Sequence, residues 1–527
     1  MSRMRNQRRA AALIIVIGCM TMSAASQSRP AEPTSTPPER SHVERFSPPQ
    51  QLLADRERSL TQQIEAHPDN AQSFRDRAEV RMQLGMGDAA IADLRRATQL
   101  EPASADLHSA LGAALWRTGH ADEATAEFQS ALDRDKGNAT SHFYIGRAQL
   151  MAGHVDDAIE HLQASIERSP EDIEVNFELF AAYRAKHDWE QAAMQLRLLR
   201  AVLPPDHPGG MYAEGLLQED LGNLVSAVER FQQALTKNPS LDRVRQELGI
   251  TQCKLERWRD AAETLAPLVS PQSKSFPAAY FYALALNNLG KIQEAERAVS
   301  HALVLDSGSA DAQTLYATIL SRRGANADAA QVLSRVTSAD PGNFDAQFAL
   351  GRVLYAMRDL PGAVSAFQAA VGLRPQDAEA RFFLATVLEV NGEKGPAIAA
   401  YRDLVRVAPN DVRGYVGLGA VLAKYGEEED ARQQLRHALE LDAKSFEATL
   451  NLGRLLLKNS QTAEALPLLD RAVQQMPNSP EAHYQLGLAL RRAGKTEASA
   501  HEFAVVDKLN RERRSASGMS DTRSPQP

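Results

Sequence analysis

The chain has 527 residues, 43% hydrophobic and 24% charged, the balance of an ordinary soluble protein. Acidic residues outnumber Lys and Arg 67 to 59, and the resulting net charge of −8 argues against a dedicated nucleic-acid binder, whose footprint should be basic. The two cysteines, Cys19 and Cys253, allow no zinc spacing, and no internal disulfide survives if Cys19 leaves with a cleaved leader.

At the N-terminus Arg3, Arg5, Arg8 and Arg9 precede an apolar run over residues 10–22, followed by Ser23, Ala24, Ala25 and Ser26. This charged, apolar, small-residue order is that of a secretory signal over residues 1–25, with cleavage expected after Ala25. Two finer readings compete. Val16-Ile17-Gly18-Cys19 resembles a bacterial lipoprotein processing box, which makes Cys19 a candidate for lipidation. Alternatively the segment stays as a signal anchor, although its apolar run falls short of the ~20 residues a spanning helix needs. All three readings predict export, to the periplasm or to a membrane-tethered position in the cell envelope; a cytoplasmic location is the alternative. Losing residues 1–25, with four arginines and no acid, would take the net charge to −12.

Residues 26–49 contain Pro30, Pro33, Pro37, Pro38, Pro48 and Pro49 among Ser, Thr and Glu. Such a segment cannot bury a core and reads as a disordered, extended tether. Residues 50–70 carry Leu53, Leu60 and Ile64 on one face and read as a half-repeat that caps the apolar flank of the first full repeat, at residue 71.

From residue 71 a strict period of 34 governs the chain. Alanine recurs at 90, 124, 158, 192, 227, 261, 295, 329, 363, 397, 431 and 465, with a single 35-residue step between Ala192 and Ala227 and Ser499 on the next rung. Prolines 68, 102, 170, 204, 239, 341, 375, 409 and 477 run parallel to it. A fixed period means one unit copied head to tail. About thirteen units open at Ala71, Ala105, Ala139, Ile173, Pro208, Asp242, Phe276, Ala310, Phe344, Ala378, Val412, Phe446 and Pro480. Each reads as two amphipathic helices joined by a turn near position 15, where Gly85, Gly153, Gly324 and Gly426 stand, and closed by a proline that forbids continuation. Small residues at positions 8 and 20 let the two backbones approach, and Phe, Leu or Tyr at position 24 fills the space between them. Residues 514–527 are polar and aperiodic and read as a disordered tail.

The set Leu111-Gly112, Gly119, Ala124, Phe128 and Ala131, with Pro170 closing a sister unit, resembles the tetratricopeptide repeat of exported bacterial proteins, in register over residues 71–513. The sequence departs from that pattern at position 4, where Trp is usual and Phe74, His108, His142 or Arg245 stands. It departs again where Lys136, Ser273, Ser307 and Ala443 replace the closing proline. The resemblance implies an all-α fold, a right-handed superhelical solenoid of about thirteen helix-turn-helix repeats whose first helices line a concave groove. It also implies that positions 2, 5, 9, 12 and 13 face the groove. Position 5 is aromatic in seven units: Phe143, Phe177, Tyr212, Tyr280, Phe348, Phe382 and Tyr484. Arg147 and Arg352 follow their rings by one helical turn, and Lys424, Arg454, Lys458, Arg491 and Arg492 lie further along. A ring and a guanidinium four residues apart share a helix face and can stack on apolar groups while holding carboxylates. The candidate partner-binding groove is therefore Phe143, Arg147, Phe177, Tyr212, Tyr280, Phe348, Arg352, Phe382, Arg454, Tyr484 and Arg491, against the plainer reading that these aromatics are general packing. The asparagine at position 9 that marks chaperone-binding members is not matched, nor is the asparagine ladder of arrays attached to sugar transferases.

Catalytic signatures are weak. Gly494-Lys495-Thr496 ends like a phosphate loop, but Ala489 stands where the earlier glycine must be. His501-Glu502 starts a zincin-like string that Val505 breaks. His108 with His142, and His120 with His154, form short ladders that read as surface or packing histidines rather than a metal site. The expectation is a non-enzymatic scaffold without cofactor or metal that binds a protein or peptide for envelope assembly or secretion. The alternatives are an assembly factor of a surface-polysaccharide machine and a noncatalytic subunit of an envelope enzyme.

Overall fold

The computed structural model describes residues 48–516. The signal segment, the candidate lipidation site Cys19, nearly all of the tether and most of the C-terminal tail lie outside the described residues. The described residues form α-helices and one short 3-10 turn, with no strand among them, and they divide into two compact units at Leu268/Val269.

The N-terminal unit opens with α1 (Pro48–Ala66). Six helix pairs follow. They begin with α2 (Ala71–Gln83) and α3 (Gly87–Leu100), then α4 (Ala105–Arg117) and α5 (Ala121–Arg134), then α6 (Ala139–Ala152) and α7 (Val155–Arg168). Next come α8 (Ile173–Lys186) and α9 (Trp189–Val202), α10 (Pro208–Asp220) and α11 (Leu224–Lys237), and α12 (Asp242–Lys254) and α13 (Trp258–Leu265).

The C-terminal unit has seven pairs. They begin with α14 (Phe276–Asn288) and α15 (Ile292–Leu305), α16 (Ala310–Arg322) and α17 (Asn326–Ala339), and α18 (Phe344–Ala356) and α19 (Leu360–Leu373). Then come α20 (Ala378–Val390) and α21 (Lys394–Val407), and α22 (Val412–Lys424) and α23 (Glu428–Leu441). The last are α24 (Phe446–Lys458) and α25 (Thr462–Gln475), and α26 (Pro480–Arg492) and α27 (Thr496–Ala516). The thirteen first helices start at the residues that open the thirteen periods. The final helix runs to Ala516, past the sequence boundary at 513, because nothing in Arg514-Ser515-Ala516 breaks a helix.

Local chemistry sets the ends of these helices. Asn70, Ser104, Asn138, Asp172, Ser309, Asp377 and Ser479 each accept a backbone N–H from the first turn of the adjoining helix. The inter-helix turn needs a left-handed residue at position 15, and nine repeats supply Gly there with φ between 76° and 89°. In the other four His187, Glu256, Arg358 and Ser460 adopt φ of 57–66°. The 35-residue step is one extra residue in the Pro204–His207 connection between α9 and α10. Pro267, which has no N–H to donate, stands in the 3-10 turn Ala266–Leu268 that replaces the end of α13.

Every alanine of the ladder is completely buried. At position 8 a Cβ added to Gly112 would lie 2.6 Å from the Phe128 ring, and one on Gly215 would lie 2.4 Å from Phe231. Large side chains at position 24 thus pack onto a backbone that only a small residue leaves open. Ser499, on the next rung of the ladder, stays buried by donating to the Gly487 carbonyl at 2.8 Å.

Position 4, where the sequence leaves the tetratricopeptide pattern, has its own role. His142 Nε2 donates to the Lys136 carbonyl at 2.9 Å, Asn176 to Pro170 at 3.0 Å, Gln313 to Ser307 at 2.7 Å and His483 to Pro477 at 2.9 Å. Each is a clip onto the connection that enters its own repeat. A partner on the repeat's second helix braces several of them: Glu127 for His108, His161 for His142, Gln195 for Asn176 and Glu502 for His483. Hydrogen bonds to carbonyls left open at helix ends do here what a buried indole would do by packing.

Candidate functional site

Within each unit consecutive first helices touch, as α20 does α22, α22 does α24 and α24 does α26. They form a face on which position 9 of one repeat meets positions 2 and 6 of the next, and position 12 meets position 13 of the next. The two units use this face differently.

In the N-terminal unit the face is closed by ion pairs, each with one side chain at most 10% exposed. Arg147 on α6 bonds the Glu178 carboxylate on α8 through Nε and lies 3.8 Å from Glu174; its side chain is 12% exposed and that of Glu178 5%. Its guanidinium also covers the Phe143 ring at 4.6 Å. Burial pushes the Glu178 carboxyl above its usual range, and the neighbouring Arg147 charge opposes that shift. Arg184 pairs with Asp220, and Lys254 with Glu219. Arg243 holds the buried Glu247 at 3.0 Å; burial raises the Glu247 carboxyl and Arg243 again counters it. Tyr212 is buried to 1% exposure and its hydroxyl is pushed up to about 12 by that burial. Phe143 and Phe177 are each 7% exposed. Phe143, Phe177, Tyr212 and Arg147 are therefore packing elements of the repeats and offer no open face for a partner to stack on. Their spacing is that of a groove, but acids at positions 6, 12 and 13 fill the face from within.

The C-terminal unit keeps its face open. A hollow of about 600 Å³ lies along α22, α24 and α26 and reaches the end of α20. Lys424, Arg454, Lys458 and Arg492 line it, with Glu389 as its one carboxylate, Asn451 and Gln485 as amides, and Leu455 and Leu488 beneath them. The pairs these cations make are exposed ones: Arg454 with Glu481 at 3.2 Å, side chains 45% and 57% exposed, and Lys458 with Glu428 at 3.1 Å. Arg454 also donates to Asn451 at 3.0 Å. Arg492 is steadied by the Leu457 carbonyl, and Lys424 lies 5.5 Å from the Tyr425 ring. Glu389 accepts the Tyr401 hydroxyl at 3.0 Å, so part of its hydrogen-bonding capacity is spent inside its own repeat.

The other sequence candidates in this unit lie on its first helices and do not line the hollow. Tyr484 is 46% exposed, and Arg491 on the same helix lies over the Phe503 ring at 5.7 Å. Arg352 is exposed with its guanidinium 5.8 Å from the Phe383 ring, while Tyr280, Phe348 and Phe382 are half-buried. Arg413, not among the candidates, covers Phe382 at 4.8 Å. Glu389, Asn451, Gln485 and Leu488 were also missed, because each gains meaning only beside a residue one repeat away. The signal available was the recurrence of a cation at position 13 in three successive repeats, Lys424, Lys458 and Arg492. The position-4 histidines His108 and His142 belong to the structural clips.

Comparison with known families accords with this geometry. The tetratricopeptide repeat model matches residues 109–173, 177–242, 283–344, 348–404 and 450–508, and a second TPR repeat model matches 78–119. These matches cover more than half of the chain, which belongs to the tetratricopeptide repeat family, a family of protein–protein interaction scaffolds. No curated protein matches it. Among solved structures it is similar to the APC/C hetero-tetramer Cut9-Hcn1, with 13% identity over 84% of this chain and 94% of that one and a TM-score of 0.46. It is also similar to YrrB, described as a TPR protein with an unusual peptide-binding site, at 21% identity over 36% and 96% and a TM-score of 0.32. MamA gives 19% identity over 32% and 97%, with a TM-score of 0.29.

Proposed function

We propose that this array is a non-enzymatic scaffold that holds an extended segment of a protein partner on the first-helix face of its C-terminal unit. The observation that carries the reading is the open hollow on α22, α24 and α26, where Arg454 and Lys458 are engaged in exposed pairs that a partner can replace at little cost. We further propose that the scaffold works in the cell envelope, in assembly or secretion. The arginine-led apolar segment of residues 1–25 and the proline-rich residues behind it support that location.

A photo-crosslinking amino acid placed at Tyr484 in the full chain, expressed in cells, should trap a discrete partner. The same group at Val304, 82% exposed on the second helix α15, should not. Identical crosslink patterns from the two positions would remove the first-helix face from the function. Fractionation of the same cells tests location, and recovery of the full-length chain in the cytoplasm would end the envelope reading.

A further inference from the structure

We infer that the hollow on α22, α24 and α26 recognises a peptide segment carrying several acidic side chains at alternate positions, read along its length rather than at its end. The inference rests on the scaffold reading and gives its partner a chemistry.

The argument starts from charge. Four cations, Lys424, Arg454, Lys458 and Arg492, line a hollow of about 600 Å³ with one carboxylate, Glu389. Two more, Glu481 and Glu428, pair with Arg454 and Lys458 at its edge, which leaves an excess of one positive charge in a chain whose net charge is −8. A basic patch against an acidic background is a local electrostatic target for anions and steers them on approach. The spacing of the cations then selects among anions. Arg454 and Lys458 stand one turn apart on one helix, about 6 Å along its axis. Neighbouring packed helices carrying Lys424 and Arg492 lie about 8–10 Å to either side. A single carboxylate, terminal or otherwise, cannot span such distances. Side chains on one face of an extended peptide recur about every 6.6 Å, close to the Arg454–Lys458 step. Residues of opposite parity turn away from the cations.

The occupant must also displace the present partners of the cations. Arg454 and Lys458 exchange exposed ion pairs with Glu481 and Glu428 for pairs with the peptide. Exposed pairs contribute little to stability. Arg492 keeps its bond to the Leu457 carbonyl, which positions its guanidinium in advance.

The test uses the full chain and a fluorescein-labelled, C-terminally amidated decapeptide of alternating Glu and Leu, followed by anisotropy at about 0.1 M salt. Saturable binding that weakens as salt rises is expected, with no binding of the matching Lys–Leu peptide. The Arg454→Gln/Lys458→Gln double variant should weaken binding at least tenfold, with its melting curve unchanged. Arg436→Gln, which removes a cation of similar exposure on the second helix α23, should leave affinity within twofold. Equal affinity in the wild type and the double variant would overturn the inference. So would binding that needs a free C-terminal carboxylate, or binding of dextran sulfate in place of the peptide, which would assign the hollow to acidic polysaccharide. A crosslinked partner at Tyr484 that persists in the double variant would overturn this inference while leaving the scaffold reading in place.

Discussion

Position 9 carries arginine in three repeats, and the fate of each depends on position 6 of the next repeat. In the N-terminal unit Arg147 meets Glu178 and the two are buried together. In the C-terminal unit Arg352 meets the Phe383 ring and stays exposed, and Arg454 lines the hollow with Gln485 in the corresponding place. One residue type at one repeat position thus serves packing in one unit and an open surface in the other. The lesson is that a repeat position has no fixed role. Its neighbour one period away decides whether a charge is consumed or offered.

The largest expected effect tests that contrast directly. Arg147→Met strands the Glu178 carboxylate in a site from which water is excluded, and removing one partner of a buried pair costs about 3–5 kcal/mol. Arg454→Met breaks only exposed contacts and should stay within about 0.5 kcal/mol. Urea unfolding, with hydrogen exchange to localise the loss, should show α6 and α8 opening in the first variant and no change in α24 in the second. Adding Glu178→Leu to Arg147→Met should recover most of the stability, because two apolar groups replace the pair. Equal losses at Arg147 and Arg454 would erase the distinction between the two faces.

A smaller effect asks whether the repeat frame itself differs between the units. Glu256 and Ser460 hold the left-handed turn with φ of 57° and 63°, where L side chains are strained and nine sister repeats use Gly. Relief of about 1–2 kcal/mol of strain exceeds the added chain entropy of Gly, about 0.5–1 kcal/mol. Glu256→Gly and Ser460→Gly should therefore each stabilise by about 0.5–1 kcal/mol, read as a raised urea midpoint. A gain in one unit only would show that the turns, and not just the faces, have diverged.

Most of the frame was legible because it depends on local chemistry that repeats every 34 residues. The alanine rungs, the glycine turns and the starts of all thirteen first helices follow from spacing alone. The face was half legible. Its positions could be named, but Phe143, Phe177 and Tyr212 look like Tyr484 in a column of position-5 residues, and only burial separates them. Buried acids such as Glu178 and Glu247 gave no periodic signal, since position 6 holds Asn451 and Gln485 in other repeats. The division at Leu268/Val269 was hidden too, because the alanine ladder passes through it without a missed step.

The finest comparison is between two position-4 clips. In the C-terminal unit His483 is braced by Glu502, whereas in the N-terminal unit His142 is braced by a second imidazole, His161, at 2.8 Å. His142 donates from Nε2 to the Lys136 carbonyl, and of the two Nδ1 atoms one donates to the other, an arrangement that fails when both carry a proton. Burial, then the His142 charge, lower the His161 pKa from 6.5, while Glu160 and Asp157 on its own helix pull the other way. A base whose folded pKa lies below its unfolded value binds more protons when unfolded. Its contribution is therefore complete above 6.5 and is lost as pH falls through the depressed folded value. Hydrogen exchange in α6 and α7 should quicken relative to α26 and α27 as pH drops from 7 towards 5, after correction for the intrinsic rate. His161→Glu rebuilds the brace found at His483 and should abolish that difference. A pH response that survives His161→Glu would place its origin outside this pair.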